Sequence, residues 1–454
     1  IEYWQYVFDS RVQAMDKLIA NFEAANPDIT VKHTTFPYAD YQTRVVAAKV
    51  AGQGPDVVQL FYGWTDQFVN GGLIQPLDPA VFPHEEIESE FFPIVSAMKR
   101  GDDYYGIPTA VRSLALFYNK ALFEEAGIEP PNTIDELVAA AKATTKYDGG
   151  GNITSAGITL DMAGQDHHWW REVLVRQFGG EPYDADGNVA YNSDAGVAAM
   201  KFYTDLQTEH KVGLVGFMDE GQAAFRAGLA AMTIDGTFRL GAFADNPFEW
   251  GVVELPADAN GLRSNYSSYF ANGIGATAQG EELEAAQKFL KYISSEEAMQ
   301  IWLETVGELP ARRSAALTEE NLADPIRGPF LKGLEYAHTT RFYDEAGQRT
   351  TAIDAVNRIL LEGQSIADSV AQAAAAEQAI IETVAHFGVQ ITNADIAQHK
   401  AKGNANNDWK VAFHFISSSN VPSATGVTYE QVVAKFQAFS FILLSLSFSF
   451  SLSL

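Results

Sequence analysis

Hydrophobic positions in the first hundred residues alternate between two periods. "EYWQYVF" reads as a strand. In "DSRVQAMDKLIANFEAANP", Val12, Met15, Leu18, Ile19 and Phe22 recur at the spacing of one helical face. Asp9 or Ser10 can cap that helix, and Asn26-Pro27 ends it. "ITVKHTTF" is the next strand, "DYQTRVVAAKVAGQG" a second helix and "DVVQLF" a third strand. This βαβα order predicts a parallel sheet covered by helices.

The pattern restarts after Pro108. "LALFY" (Leu114–Tyr118) is a strand, and "TIDELVAAAKATTKY" a helix with Thr133 and Glu136 spaced as a capping box. "SAGITL", "FEWGVVELP" and "FANGIGATA" read as strands, and helices dominate from Glu281. The restart predicts two α/β bodies, residues 1–108 with 273–315 and 112–270 with 320–387, with no continuous sheet across Pro108. Residues 388–454 fit neither. From Leu444 to Leu454 serine alternates with a large apolar residue, the pattern of a steric zipper.

Composition narrows the classes. A chain of 454 residues is too long for one ordinary core. With 58 acidic against 31 basic side chains, the net charge of −27 argues against nucleic acid, whose phosphates need a basic face. The absence of cysteine removes thiolate zinc, thiol catalysis and disulfides, and suits an oxidising compartment such as the periplasm. No signal peptide is visible, so the numbering reads as that of a processed chain. No run of eighteen apolar residues suggests a membrane span.

Several motifs stand in one order: "NFEAANPDITV", "GQGPDVV", "GGLIQPLD", "YYGIPTAVRSLALFYNKALFEEAGIEPPNTIDEL", "GQAAFRAGLAAMTIDGTFRLG", "WGVVELP" and "GELPARRSA". Over roughly residues 1 to 385 the chain resembles the extracellular solute-binding proteins of family 1, the maltose-binding-protein type that serves ABC importers. The resemblance implies two α/β lobes joined by a multi-segment hinge, crossed at "PTAV", near "FANG" and after "PARRSA". It implies a saccharide held between the lobes, membrane permease subunits as partners, a monomer in the periplasm or outside the cell at a membrane, no cofactor and no catalysis.

The candidate ligand residues are Phe8, Asp9, Tyr41, Tyr62, Gly63, Trp64, Arg112, Trp169, Gly236, Thr237, Phe238 and Arg349. Loops beyond the carboxyl ends of parallel strands are where ligands sit, and aromatic rings there suit sugar faces. Asp9 either binds hydroxyls or caps the first helix; Asp40 is open to the same two readings. Arg112 follows a hinge crossing, where maltose-type relatives often carry a carboxylate. It either donates to ligand or bridges the hinge. The resemblance puts an aromatic platform at Trp169, with Trp170 packing inward. Gly236 and Thr237 offer backbone and hydroxyl donors, and Phe238 matches another aromatic position. Arg239, Tyr269 and Asn272 are weaker candidates. His167 and His168 do not suggest a metal, because adjacent helical residues diverge by about 100° and no third ligand is suitably spaced. The alternative class is a carbohydrate-active enzyme using two carboxylates, but no GxSxG, HExxH or nucleotide-binding fingerprint supports catalysis.

Overall fold

The computed structural model describes residues 1–218 and 221–388. The alternating tail from residue 389 onward lies outside the described residues. The first half opens with β1 (Glu2–Tyr6), α1 (Asp9–Ala25), β2 (Lys32–Phe36), α2 (Tyr38–Val50), β3 (Val57–Phe61) and α3 (Thr65–Asn70). β1 is central, pairing in parallel with β2 from Glu2↔Lys32 to Tyr6↔Phe36 and with β3 at Tyr3↔Val57. α1 buries Met15, Leu18, Ile19 and Phe22 as its periodicity predicts, with Ala14 and Arg11 added, while Val12 is only half-buried. Neither Asp9 nor Ser10 caps it. Phe8 holds the cap position in extended backbone and no side chain closes the first turn. α2 likewise begins after Pro37 without a side-chain cap, so Asp40 is an ordinary first-turn residue.

Two long antiparallel strands, Ile107–Asn119 and Asn265–Gly275, form the waist. The break expected at Pro108 is absent, because the first of these runs straight through it. Proline withholds one ladder donor. Here Pro108 stands opposite Ala271, at the register shift between Phe270 and Ala271, where the ladder is already irregular. The Asn265–Gly275 strand also pairs antiparallel with β3, while residues 114–118 pair with the strand Met232–Gly236. One connected sheet therefore passes through both halves. Leu309–Pro310 and Ala337–His338 add short pairings to the same two strands.

Side chains sort into two cores. One gathers Tyr3, Leu18, Val58, Phe68, Ile94, Phe289 and Trp302; the other Leu137, Leu160, Trp170, Tyr191, Met200 and Ile234. "LALFY" serves both, sending Ala115 and Phe117 to the first and Leu114 and Leu116 to the second. A strand buried on both faces needs such an unbroken apolar run. The capping box at Thr133 and Glu136 is formed.

Candidate functional site

The waist carries a knot of charge. Arg11, one turn into α1, is buried on the helix's apolar face, and its guanidinium lies 4.6 Å from the ring centre of Phe8, 5.5 Å from Tyr6 and 5.2 Å from Phe270. It donates to Glu308 Oε1. Trp302 Nε1 donates to Glu308 Oε2 at 3.0 Å. Arg112 approaches the same carboxylate from the waist strand, Nε to Oε1 at 3.4 Å, with its guanidinium 5.3 Å from Phe270. Burial works against the Glu308 charge, but Arg11 and Arg112 more than offset it and hold the carboxyl below its usual range.

Aromatic rings surround this knot on the side of β1 to β3. Trp64 stands 5.7 Å from Tyr38 and meets Phe270 edge-on at 6.2 Å, while Tyr6 is 5.2 Å from Tyr38. Phe8 and Tyr38 are each 50% exposed, so their faces are open. Across the waist, the strand Met232–Gly236 pairs with residues 114–118 and ends at Gly236↔Leu114, and Thr237 and Phe238 follow in a short 3-10 turn. Thr237 is buried and its Oγ1 has no partner among the described residues, while Phe238 is 40% exposed. Gly236 permits this turn: a Cβ there would stand 2.2 Å from the Phe238 ring. Arg349 pairs with Glu345 in the first turn of the helix Glu345–Leu360. Burial and, less, the Glu345 charge raise the Tyr38 hydroxyl pKa, against the opposing charges of Arg112 and Arg349.

Of the residues singled out in the sequence, Phe8, Trp64 and Arg112 gather about Arg11 and Phe270, while Thr237 and Phe238 follow the strand Met232–Gly236 and Arg349 lies in the first turns of the helix Glu345–Leu360. Asp9 is exposed at the start of α1. Two expectations are corrected. Trp169 is 1% exposed and packs edge-on against Phe202 and Tyr203, so it is core, like Trp170. The wide π-helical turn Trp169–Leu174 buries both indoles. Tyr41 is also fully buried, with its hydroxyl donating to the Gln59 carbonyl at 2.6 Å and lying 2.9 Å from that of Trp4. Tyr62 is buried with its hydroxyl 3.0 Å from that of Tyr266. Gly63 fits because a Cβ would lie 2.7 Å from the Phe61 ring. Tyr269 donates to the Ile94 carbonyl and Asn272 to Thr109, both buried within the waist.

Sequence reasoning passed over Arg11, Glu308 and Phe270. Arg11 carried a signal, a charge inside the apolar stripe of α1; Glu308 had none beyond its place before Leu309-Pro310.

His168 stacks on Tyr266 at 3.5 Å, and burial drives the pKa of both His167 and His168 well below the usual imidazole range, leaving them neutral. Among the described residues no group of three His, Cys, Asp or Glu side chains stands ready to hold a metal ion. Three aspartates lie near the second core. Asp166 accepts from Asp161 N and the Tyr203 hydroxyl, and burial raises its pKa to about 8. Asp235 pairs with Arg239 and, mainly through burial, is raised to about 6. A separate cavity of about 450 Å³ opens between residues 96–101 and 339–342, and of the predicted residues only Tyr62 and Gly63 border it.

A sequence profile of the bacterial extracellular solute-binding proteins matches residues 17–329. The galactooligosaccharide-binding protein of Bacillus subtilis is 28% identical over 317 residues, 66% of this chain and 70% of that protein. The maltotriose-binding protein of Pyrococcus abyssi is 23% identical over 345 residues, 74% of this chain and 71% of that protein. The crystal structure of a cyclic alpha-maltosyl-1,6-maltose binding protein from Arthrobacter globiformis superposes with a TM-score of 0.74 at 22% identity, covering 84% of this chain and 99% of that one. That likeness shows the fold, a two-lobed α/β architecture joined by several chain crossings.

Proposed function

The chain belongs to the bacterial extracellular solute-binding proteins, and from that membership we propose that it captures a saccharide between its lobes and delivers it to an ABC importer. One lobe is residues 1–108 with 273–315, the other 112–270 with 320–387. The protein acts as a monomer, in the periplasm or outside the cell at a membrane, and its partners are the permease subunits of the importer.

One arrangement carries this reading. Arg112 sits on a strand shared by both lobes, with Phe270 against it and Trp64 and Tyr38 beyond, and the same strand pairs with Met232–Gly236, after which Thr237 and Phe238 turn away. A pyranose packs its apolar face on a ring and needs donors and acceptors for its hydroxyls. The unpartnered Thr237 hydroxyl and the Arg112 fork supply them. A ligand touching both lobes favours the closed arrangement by its differential contacts.

The named relatives bind maltotriose and galactooligosaccharide, which supports an oligosaccharide here. A hydrolase would need two free carboxylates flanking one bond. The named relatives are binding proteins, and the reading is therefore of a receptor without catalysis. A thermal-shift screen against mono- and oligosaccharides tests it. Stabilisation that grows with ligand concentration supports capture, and release of cleaved sugar would refute it.

A further inference from the structure

The waist holds more arginines than acids to match them. Glu308 is paired by Arg11, Glu345 by Arg349, and Asp235 by Arg239. Arg112 is left over. Its nearest anion is Glu308 at 3.4 Å, long for a charge-assisted bond, and both oxygens of that carboxylate already accept from Arg11 and Trp302. Among the described residues the Arg112 side chain donates no hydrogen bond. A guanidinium of five donors, whose one contact to an anion is the 3.4 Å approach to Glu308, stands 16% exposed above Phe270 in a chain whose net charge is −27. Two guanidiniums share the single carboxylate of Glu308, so the cluster carries one surplus positive charge, which an anionic ligand can match.

We propose that the ligand is an acidic saccharide, a sugar bearing one carboxylate of the uronide type, and that Arg112 receives that carboxylate. This rests on the saccharide reading above and names the class within it. The fork of Arg112 matches a carboxylate bidentately, which an ammonium could not do. One surplus cation matches a monoanion and leaves the second charge of a phosphate ester unmatched. Phe8 covers Arg11, which hydrogen-bonds Glu308 directly, while Arg112 reaches the same carboxylate only at 3.4 Å.

The test is calorimetry on the full chain with glucuronides, galacturonides and mannuronides of one to three units. Each acid is compared with its uncharged methyl ester and with neutral maltotriose and galactooligosaccharides. The expected result is one acid binding at least tenfold more tightly than its ester, with affinity falling as salt rises. Arg112→Gln should erase the difference between acid and ester, and Arg112→Lys should restore part of it. Should Arg112→Gln fail to fold, the comparison of acid with ester on the unaltered protein still decides. Equal binding of acid and ester, or binding of neutral oligosaccharides alone, overturns the proposal while leaving saccharide capture standing. Failure of every saccharide to bind overturns both.

Discussion

Asp66 and Arg341, 275 residues apart, meet in a two-point ion pair, with Nε to Oδ2 and Nη2 to Oδ1 both at 3.0 Å. Arg100 adds a third contact to the same carboxylate at 2.6 Å. The pair fastens α3 to the segment that leads into the helix Glu345–Leu360. Burial disfavours the Asp66 charge, yet Arg341 and Arg100 outweigh it and lower its pKa.

Asp66→Asn should therefore cost about 1–2 kcal/mol at neutral pH, a charged hydrogen-bonded pair discounted for the exposure of Arg341. A carboxylate depressed in the folded state contributes fully above its unfolded pKa and loses that contribution as pH falls through the folded value. Denaturant unfolding of the two proteins should diverge at pH 7 and converge toward pH 3. A constant gap at both pH values would show that the charge is not the cause.

Asp166 predicts the opposite slope. Its folded pKa of about 8 lies far above the unfolded value. Its contribution is complete below about pH 4 and drains away as pH rises toward 8. Asp166→Asn keeps an acceptor for Asp161 N and Tyr203, and should lose less stability than the parent between pH 5 and pH 8. Parallel stability curves would contradict the assignment.

The two tryptophans separate packing from binding. Trp169→Ala removes a buried ring and should cost about 3–5 kcal/mol. Trp64→Ala should fold normally and weaken ligand binding roughly five- to tenfold, since a stacked ring contributes about 1 kcal/mol beyond its area. Melting curves and calorimetry on both variants check this; a stable Trp169→Ala protein that fails to bind would return that ring to the cleft.

How far these features were legible in the sequence depends on the range over which they act. The stripe Met15, Leu18, Ile19 and Phe22 and the Thr133–Glu136 box are set by neighbours within one or two helical turns, and both are as their spacing predicts. Pro108 misled, because the register shift opposite it arises from a strand more than 150 residues later. Trp169 misled for a related reason: it packs against Phe202 and Tyr203 on a later helix, and nothing in "HHWWRE" shows those partners. The knot of Arg11, Arg112 and Glu308 joins three distant segments, so no local spacing marks it. Arg11 is marked only as a charge within an apolar stripe and Arg112 only as open to a bridge across the hinge, which its ion pair with Glu308 supplies.

The most direct test of the account is ligand binding measured on alterations from opposite sides of Arg112. Isothermal calorimetry with the oligosaccharide that gives the largest thermal shift should show saturable one-to-one binding, with the sugar recovered unchanged. Trp64→Ala and Phe238→Ala, on either side of the waist, should each weaken it by roughly five- to tenfold while remaining folded. Normal affinity in both variants, or recovery of cleaved sugar, would contradict a ligand held between the two lobes.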